Sequence, residues 1–329
     1  MKTRFRLWIA SLTLLLVGLW SQSVRASDYD KYLPADANFY FSINLKKICG
    51  SELVRKSLPK LIDKYGENLV KMAAQLNPQA AQLEAVWPMI QEAVRDTDKV
   101  NQFFDAAQDA VGEFIVAGNT KKPGDKDFIC IITSPHFTDA NVEMIYGLIS
   151  GAQPGMVEKI RVGKKSMFVM SPPDQDEKVY VSLIGEGALA FAVKKEIMEK
   201  SLKGSDSVSL PSGMKDLLKS RKGDQAFFFA GHDMDDEVLK AMGSAKLDKN
   251  IDFSMTLTLK DGDKAKEKAD EMKKELSDAQ KQLGALVGGN AKSLQPLIDQ
   301  MKNIKISADG ANIKVSLQLD GSVIEKMLK

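Results

Sequence analysis

The chain has 329 residues, of which 44% are hydrophobic, and it carries 46 lysines and arginines against 44 aspartates and glutamates. A chain of this length and composition can form one large or two ordinary globular domains. The near balance of charge gives no electrostatic reason to expect binding to nucleic acid or to an anionic membrane surface.

The first 26 residues have the three parts of a secretory signal peptide. A basic start at residues 2–6 precedes an apolar run at residues 7–20, and Ala26 closes a small-residue cleavage pattern. The apolar run is shorter than the roughly 20 residues of a membrane-spanning helix, so we expect cleavage after Ala26 rather than a retained anchor. Cleavage removes four basic residues and no acidic one. It would leave a soluble exported protein, periplasmic or extracellular, with no stable membrane span.

Residues 27–204 are predicted to form a first lobe of sheet and helix. The stretch "NFYFSINL", residues 38–45, alternates as a strand does, and we assign Phe39 and Phe41 to its buried face and Tyr40 to the other face. Period-two patterns and glycine turns predict the later strands of this lobe at residues 111–118, 127–134, 158–171 and 178–193. Helices are predicted at residues 139–151 and 194–204.

The first lobe is interrupted by a helical insertion at about residues 51–110. Apolar residues recur there at helical spacing in three or four segments. Pro59 lies inside the first of them, and we expect it to kink or divide that helix because proline cannot donate the backbone hydrogen bond.

Residues 205–329 are predicted to form a second, shorter lobe that begins in a polar segment rich in small residues. We assign strands to "DQAFFFAGH" (224–232) and "IDFSMTLTLK" (251–260), and a hairpin turns at Asp309-Gly310. The predicted helices are "DDEVLKAMG" (235–243), a long helix at about residues 263–287 and a closing helix.

The two lobes share a pattern that indicates a divergent duplication. "DANFYFSIN" (36–44) aligns with "DQAFFFAGH" (224–232), and residues 127–133 align with residues 252–258, in the same order relative to helices and hairpins. The sequence therefore predicts an α+β fold of two related, antiparallel-rich lobes.

The opening of the mature chain carries a family resemblance. The "LPADA" turn, a hydrophobic strand and then "KKICGSELVRKSL" lie between residues 31 and 60. This stretch resembles a loose group of exported, uncharacterised bacterial proteins. The resemblance implies export and an α+β fold, and it implies no activity and no site residues.

Two cysteines, Cys49 and Cys130, leave two interpretations open. An oxidising compartment permits a disulfide between them, which would close a long loop and stabilise the fold by roughly 4.5 kcal/mol in the chain-entropy model. Alternatively, both are small buried thiols, since Cys130 lies in the apolar strand "FICIIT".

Several local patterns bear on chemistry. "HDMDDE" (232–237) could bind a divalent cation, although its acids also suit the start of a following helix, where they cap free N–H groups. Two S-x-x-K spacings, at Ser57 and Ser212, match a catalytic serine motif without its companion motifs. We therefore predict no catalytic, metal or cofactor residues.

The long helix at about residues 263–287 carries a heptad-like stripe of alanine, leucine and methionine. Packing on its own sheet, as a monomer, is the favoured interpretation, and a seam in a dimer is the other. Together these patterns favour a non-catalytic binding or structural protein of the cell envelope with an unknown ligand or protein partner. The alternatives are a hydrolytic enzyme with dispersed site residues and an oligomeric assembly protein that uses this helix.

Overall fold

The fold is α+β with antiparallel strand pairing, as the sequence predicts. The predicted signal peptide, up to residue 25, lies outside the part of the chain described here. The computed structural model describes residues 26–76, 81–121, 127–171, 177–203, 210–234, 236–290 and 295–328.

A 3-10 helix, Ala26–Tyr32, precedes the first strand. The helices, numbered along the chain, are α1 (Leu45–Gly50), α2 (Glu52–Leu76), α3 (Ala81–Arg95), α4 (Thr97–Ala110), α5 (Asp139–Ala152), α6 (Lys195–Leu202), α7 (Ser212–Lys219), α8 (Gly262–Asn290), α9 (Gln295–Met301) and α10 (Gly321–Met327). The strands are β1 (Phe39–Asn44), β2 (Glu113–Gly118), β3 (Phe128–Thr133), β4 (Val157–Val162), β5 (Lys165–Met170), β6 (Val179–Leu183), β7 (Ala188–Ala192), β8 (Phe227–His232), β9 (Val238–Leu247), β10 (Asn250–Leu259), β11 (Lys305–Asp309) and β12 (Asn312–Asp320).

The chain divides into two compact units, and both are discontinuous in sequence. The first contains the described residues up to Lys46 and those from 108 to 244, and the second contains residues 47–107 and those from Ala245 onward. The predicted boundary at residues 204 and 205 differs from this division. The reason is that β8 pairs with β1, which binds the start of the predicted second lobe to the first unit.

In the first unit the strand order is β9-β8-β1-β2-β3-β7-β6-β5-β4. The central strand β1 has Phe41 opposite Val116 of β2 and opposite Phe229 of β8. The α6 helix contacts β6 and β7, and α7 contacts β8. The strands in the middle are therefore held on both edges by backbone hydrogen bonds, and β4 is the outermost strand at the end opposite β9.

The buried face of β1 is the opposite of the predicted one. Tyr40 is only 1% exposed and belongs to the main core, together with Met198 of α6 and Met214 of α7. Phe39 and Phe41, on the other face, are half-buried. The alternation of apolar and polar residues located the strand correctly. The predicted buried face was wrong, because the helices place their apolar side chains over Tyr40.

In the second unit, β12 pairs with β10 along one edge and with β11 along the other. The long helix α8 contacts β10, β11 and β12 through its first turns, where Ala265 is 0% and Ala269 is 1% exposed. Packing on its own sheet is thus present for this part of the predicted stripe, while Leu283 and Leu286 have side chains outside the described set. Pro59 lies inside α2, which continues through it to Leu76; of the two expected outcomes, division of the helix is wrong and the kink stays a prediction.

The segment predicted as the helix 235–243 is wrong as well, because β9 begins at Val238. The structure therefore has three strands, β8 to β10, before α8, and three strands, β1 to β3, before α5. Residues 127–133 and 252–258 fall on the third strand of each series. The duplication itself stays a prediction.

Among the described residues, no helix is both long and apolar enough to cross a membrane.

Candidate functional site

A surface groove of ≈ 980 Å³ lies in the first unit, beside the outermost strands. Its walls are the start of α5, the β4–β5 hairpin and the turn between β6 and β7. Four cationic side chains line it, at Lys159, Arg161, Lys164 and Lys165, together with three carboxylates at Asp139, Glu143 and Glu186. We call this feature the basic groove.

The β4–β5 hairpin sets the positions of the cations. Gly163 and Lys164 form a two-residue turn between the paired residues Val162 and Lys165, and Gly163 has φ +63. A positive φ at the first central position is the geometry of a tight hairpin turn, which glycine adopts without strain. Lys159 and Arg161 are two residues apart on β4, so their side chains share one face of the strand.

The cations of the groove differ in how they are held. Lys159 contacts the carboxylate of Glu143 on α5, and its ammonium lies 5.9 Å from the ring centroid of Phe168. Arg161 and Lys164 are exposed; within the described residues neither has an ion-pair partner. These two side chains are therefore available to an anion from outside the protein.

Lys165 is set apart from the other three cations. Its ammonium lies 5.1 Å from the ring centroid of Tyr32 in the 3-10 helix. Burial lowers the pKa of Lys165, and the positive charge of Lys31 lowers it further. Lys165 therefore contributes to the wall of the basic groove while its ammonium rests on an aromatic ring.

The floor of the basic groove is apolar. Phe137, Val142, Phe168 and Leu183 line it, and Phe137 and Phe168 are only 3% and 6% exposed. Tyr146 supports the floor, with its ring centroid 5.1 Å from that of Phe168. A floor of this kind beside unpaired cations suits an occupant that is both acidic and partly apolar.

Hydrogen bonds tie the walls of the groove together. Thr138 caps α5, because its hydroxyl accepts a hydrogen bond from the N–H of Asn141 at 3.2 Å. Next to this cap, the N–H of Gly187 donates to the carbonyl of Phe137 at 3.2 Å. The Tyr29 hydroxyl donates to the carbonyl of Glu186 at 2.9 Å, so the turn is tied to the 3-10 helix.

The basic groove was not among the features predicted from the sequence, where residues 158–171 were assigned only to strands. A signal was nevertheless present, since Lys159 and Arg161 alternate on a strand that leads into a glycine turn with Lys164. Its meaning depends on β4 being outermost and on α5 lying beside it, and neither follows from the local sequence.

The "HDMDDE" segment joins β8 to β9 and does not precede a helix, so the capping interpretation is wrong. Nδ1 of His232 lies 3.3 Å from a carboxylate oxygen of Asp233, and Asp233 has φ 47. The His232 ring occupies the space that a side chain at Gly213 would need. Within the described residues, which omit Asp235, no cluster of metal-ligating side chains is present.

The remaining predicted positions are separate from the groove. Cys49, on α1 in the second unit, and Cys130, on β3 in the first, are free thiols in this structure, and burial raises the pKa of both. Cys49 is buried and Cys130 is half-buried; both interpretations, the disulfide and the two small buried thiols, stay predictions. Ser57 is 3% exposed inside α2, and Ser212 begins α7.

A buried polar cluster lies under the helices of the first unit. The Arg221 guanidinium donates to the Tyr40 hydroxyl, lies 5.2 Å from that ring's centroid, and is 3.6 Å from a carboxylate oxygen of Asp30. Glu113 is 8% exposed; burial raises its pKa, and the charge of Arg221 opposes that rise. Because helices cover this cluster, we assign it to stability.

The chain matches no protein-family model and no curated protein. Among solved structures it is similar to crystal form I of TP0453, with 10% sequence identity and a TM-score of 0.40, over 94% of this chain and 99% of that chain. A likeness at this level carries no conclusion about function.

Proposed function

We propose that the protein is an exported, non-catalytic binding protein of the cell envelope and that the basic groove is its ligand site. The observation that carries the proposal is that one groove combines apolar side chains with two cations, Arg161 and Lys164, that have no ion-pair partner among the described residues. Ligand sites are typically concave and mostly apolar, with a few placed polar groups that orient the ligand. The signal-peptide pattern of residues 1–26 supports export.

The groove suits binding because its cations differ in whether a carboxylate of the protein already holds them. Lys159 is retained by Glu143, whereas Arg161 and Lys164 extend from the strand and the turn without a partner in the described residues. An acid that enters the groove gains charge-assisted hydrogen bonds from these two groups. Its apolar portion gains from covering Leu183, the half-buried apolar residue of the floor.

The test is a titration with 1-anilinonaphthalene-8-sulfonate, an aromatic sulfonate that combines an acid with an apolar body. Wild type is compared with Arg161→Glu/Lys164→Glu and with a control of equal charge change, Lys178→Glu/Lys215→Glu, whose lysines are exposed and outside the groove. We expect the groove variant to lose roughly tenfold or more in affinity, or about 1.4 kcal/mol. Equal affinities for the two variants would refute the site.

Two further measurements address the remaining parts of the proposal. Mass spectrometry of the protein recovered from its native compartment should give a chain that begins after Ala26 if export and cleavage occur. Small molecules extracted from the same sample should be chemically unchanged after incubation with the protein. Conversion of such a molecule would favour the hydrolytic alternative.

A further inference from the structure

The outermost strand of the first unit presents an unused backbone edge beside the basic groove. Among the described residues, β5 is the only strand that pairs with β4. In an antiparallel pair, residues alternate between those that exchange hydrogen bonds with the neighbour and those whose N–H and C=O point away from it. The phase of this alternation decides which residues of β4 face outward.

That phase is fixed at both ends of the hairpin. The two residues that flank a two-residue turn, Val162 and Lys165, form a hydrogen-bonded pair. At the other end, the N–H of Ser171 donates to the carbonyl of Met156 at 2.9 Å. Met156 and Ser171 are thus also a hydrogen-bonded pair, which agrees with the alternation set at the turn. The backbone groups of Lys159 and Arg161 therefore point away from β5, toward the open edge.

The side chains of β4 give that edge a selective pattern. Lys159 and Arg161 lie on the face of the basic groove, while Ile160 and Val162 lie on the opposite face and pack against the main core. A strand added to this edge would place alternate side chains opposite two cations and the others beside two aliphatic residues. Opposite charges directly across an antiparallel pair are stabilising, and like charges are destabilising.

We propose that the β4 edge binds an extended segment of a partner protein in which acidic and apolar residues alternate, added as an antiparallel strand. The proposal rests on the proposed function and names the partner class for the same groove. Strand addition of this kind takes its affinity from main-chain hydrogen bonds and its specificity from alternate side-chain positions. The acidic side chains reach Arg161 and share Lys159 with Glu143, and the apolar residues extend the core beyond Ile160.

The same charges argue against a second copy of this chain as the occupant. Two β4 strands paired edge to edge would bring Lys159 and Arg161 of one copy against cations of the other. Lysine and other charges on an edge strand are a known protection against such self-pairing. An acidic strand reverses the sign of that interaction.

The test uses synthetic peptides and the wild-type protein. The probe is a capped heptapeptide of alternating glutamate and valine with glutamate at both ends. In the antiparallel arrangement, the N–H groups of the glutamates opposite Lys159 and Arg161 face β4, and those of the valines face away. We expect N-methylation of two central glutamates to weaken binding by roughly tenfold or more, and N-methylation of two central valines to leave it within about twofold.

Three outcomes decide the matter. Strand addition is supported if binding is lost only with methylated glutamates and if the bound peptide slows hydrogen exchange at the amides of Lys159 and Arg161. Equal effects of the two methylation patterns, or no binding of the unmodified peptide, overturn it. If the aromatic sulfonate still depends on Arg161 and Lys164 while the peptide fails, the proposed function stands and only the partner class is refuted.

Discussion

The buried cluster around Arg221 provides a sharp test of how the first unit is stabilised. The Arg221 side chain is 10% exposed, and its guanidinium contacts both the hydroxyl and the ring of Tyr40. Arg221→Met keeps an apolar stem of similar length but removes the cation that offsets the buried carboxylate of Glu113. Breaking a buried charge cluster by removing one member typically costs about 3–5 kcal/mol, because the remaining charge is left buried without compensation.

The assay is urea denaturation followed by circular dichroism, with hydrogen exchange of β1 to localise the change. Arg161→Met is the matched control, since Arg161 is an exposed arginine in the same unit. A surface substitution of this kind is expected to change the free energy of unfolding by about 0.5 kcal/mol or less. A loss at Arg221→Met no larger than that of the control would refute the reasoning.

The pH dependence adds a second readout. Burial already raises the pKa of Glu113 above its ordinary value of 4.5, and Arg221 acts against that rise, so Arg221→Met should raise it further. An acid with a raised folded-state pKa contributes stability below its ordinary pKa and loses it as the pH increases. The deficit of Arg221→Met should therefore grow from pH 5 to pH 7.5, and Glu113→Gln in the same chain should recover part of it. A deficit independent of pH would show that Glu113 is not the affected group.

Other predictions test the packing and the titration of single residues. Gly66→Ala should destabilise the second unit, because the new Cβ would lie 2.0 Å from the indole of Trp87. At Gly147 a new Cβ meets nothing within 4 Å, so Gly147→Ala should stabilise the fold by roughly 0.5–1 kcal/mol. Thermal melts of the two variants and wild type compare these effects. Burial lowers the pKa of His136. Its contribution to stability is therefore complete above a pH of about 6.5 and is lost as the pH falls. The urea midpoints at pH 7 and pH 5 should differ less in His136→Gln than in wild type. In denaturant without reductant, Cys49 and Cys130 should both take up iodoacetamide, and a mass without adducts would instead reveal a disulfide.

Local patterns in the sequence were sufficient to place most elements of this fold. Period-two alternation located β1 and β8, and helical spacing located the insertion. Residues 235–243 were assigned wrongly because glutamate, leucine, lysine, alanine and methionine are good helix formers. There, pairing with β8 and β10 overrides local preference, and such pairing is a property of the whole sheet.

The error in the face of β1 has a related cause. Phenylalanine is more apolar than tyrosine, so Phe39 and Phe41 were the natural choice for the core. The structure instead buries Tyr40, because Arg221 reaches its hydroxyl and satisfies it. A buried polar group is tolerated when it has a hydrogen-bonding partner, and a partner that follows 181 positions later in the chain cannot be recognised from the strand itself.

The basic groove also depends on residues that are far apart in the sequence. Its composition differs from that of an edge strand that is only protected against aggregation. A strand that only needed protection from aggregation would require charges at its edge and nothing more. Beside β4, however, the cations adjoin apolar side chains, of which Leu183 is half-buried at the groove. Covering apolar surface contributes about 25 cal/mol per Å², so an occupant that combines acid and apolar groups would gain from both features. On the proposed function, this combination makes β4 more than a protected edge.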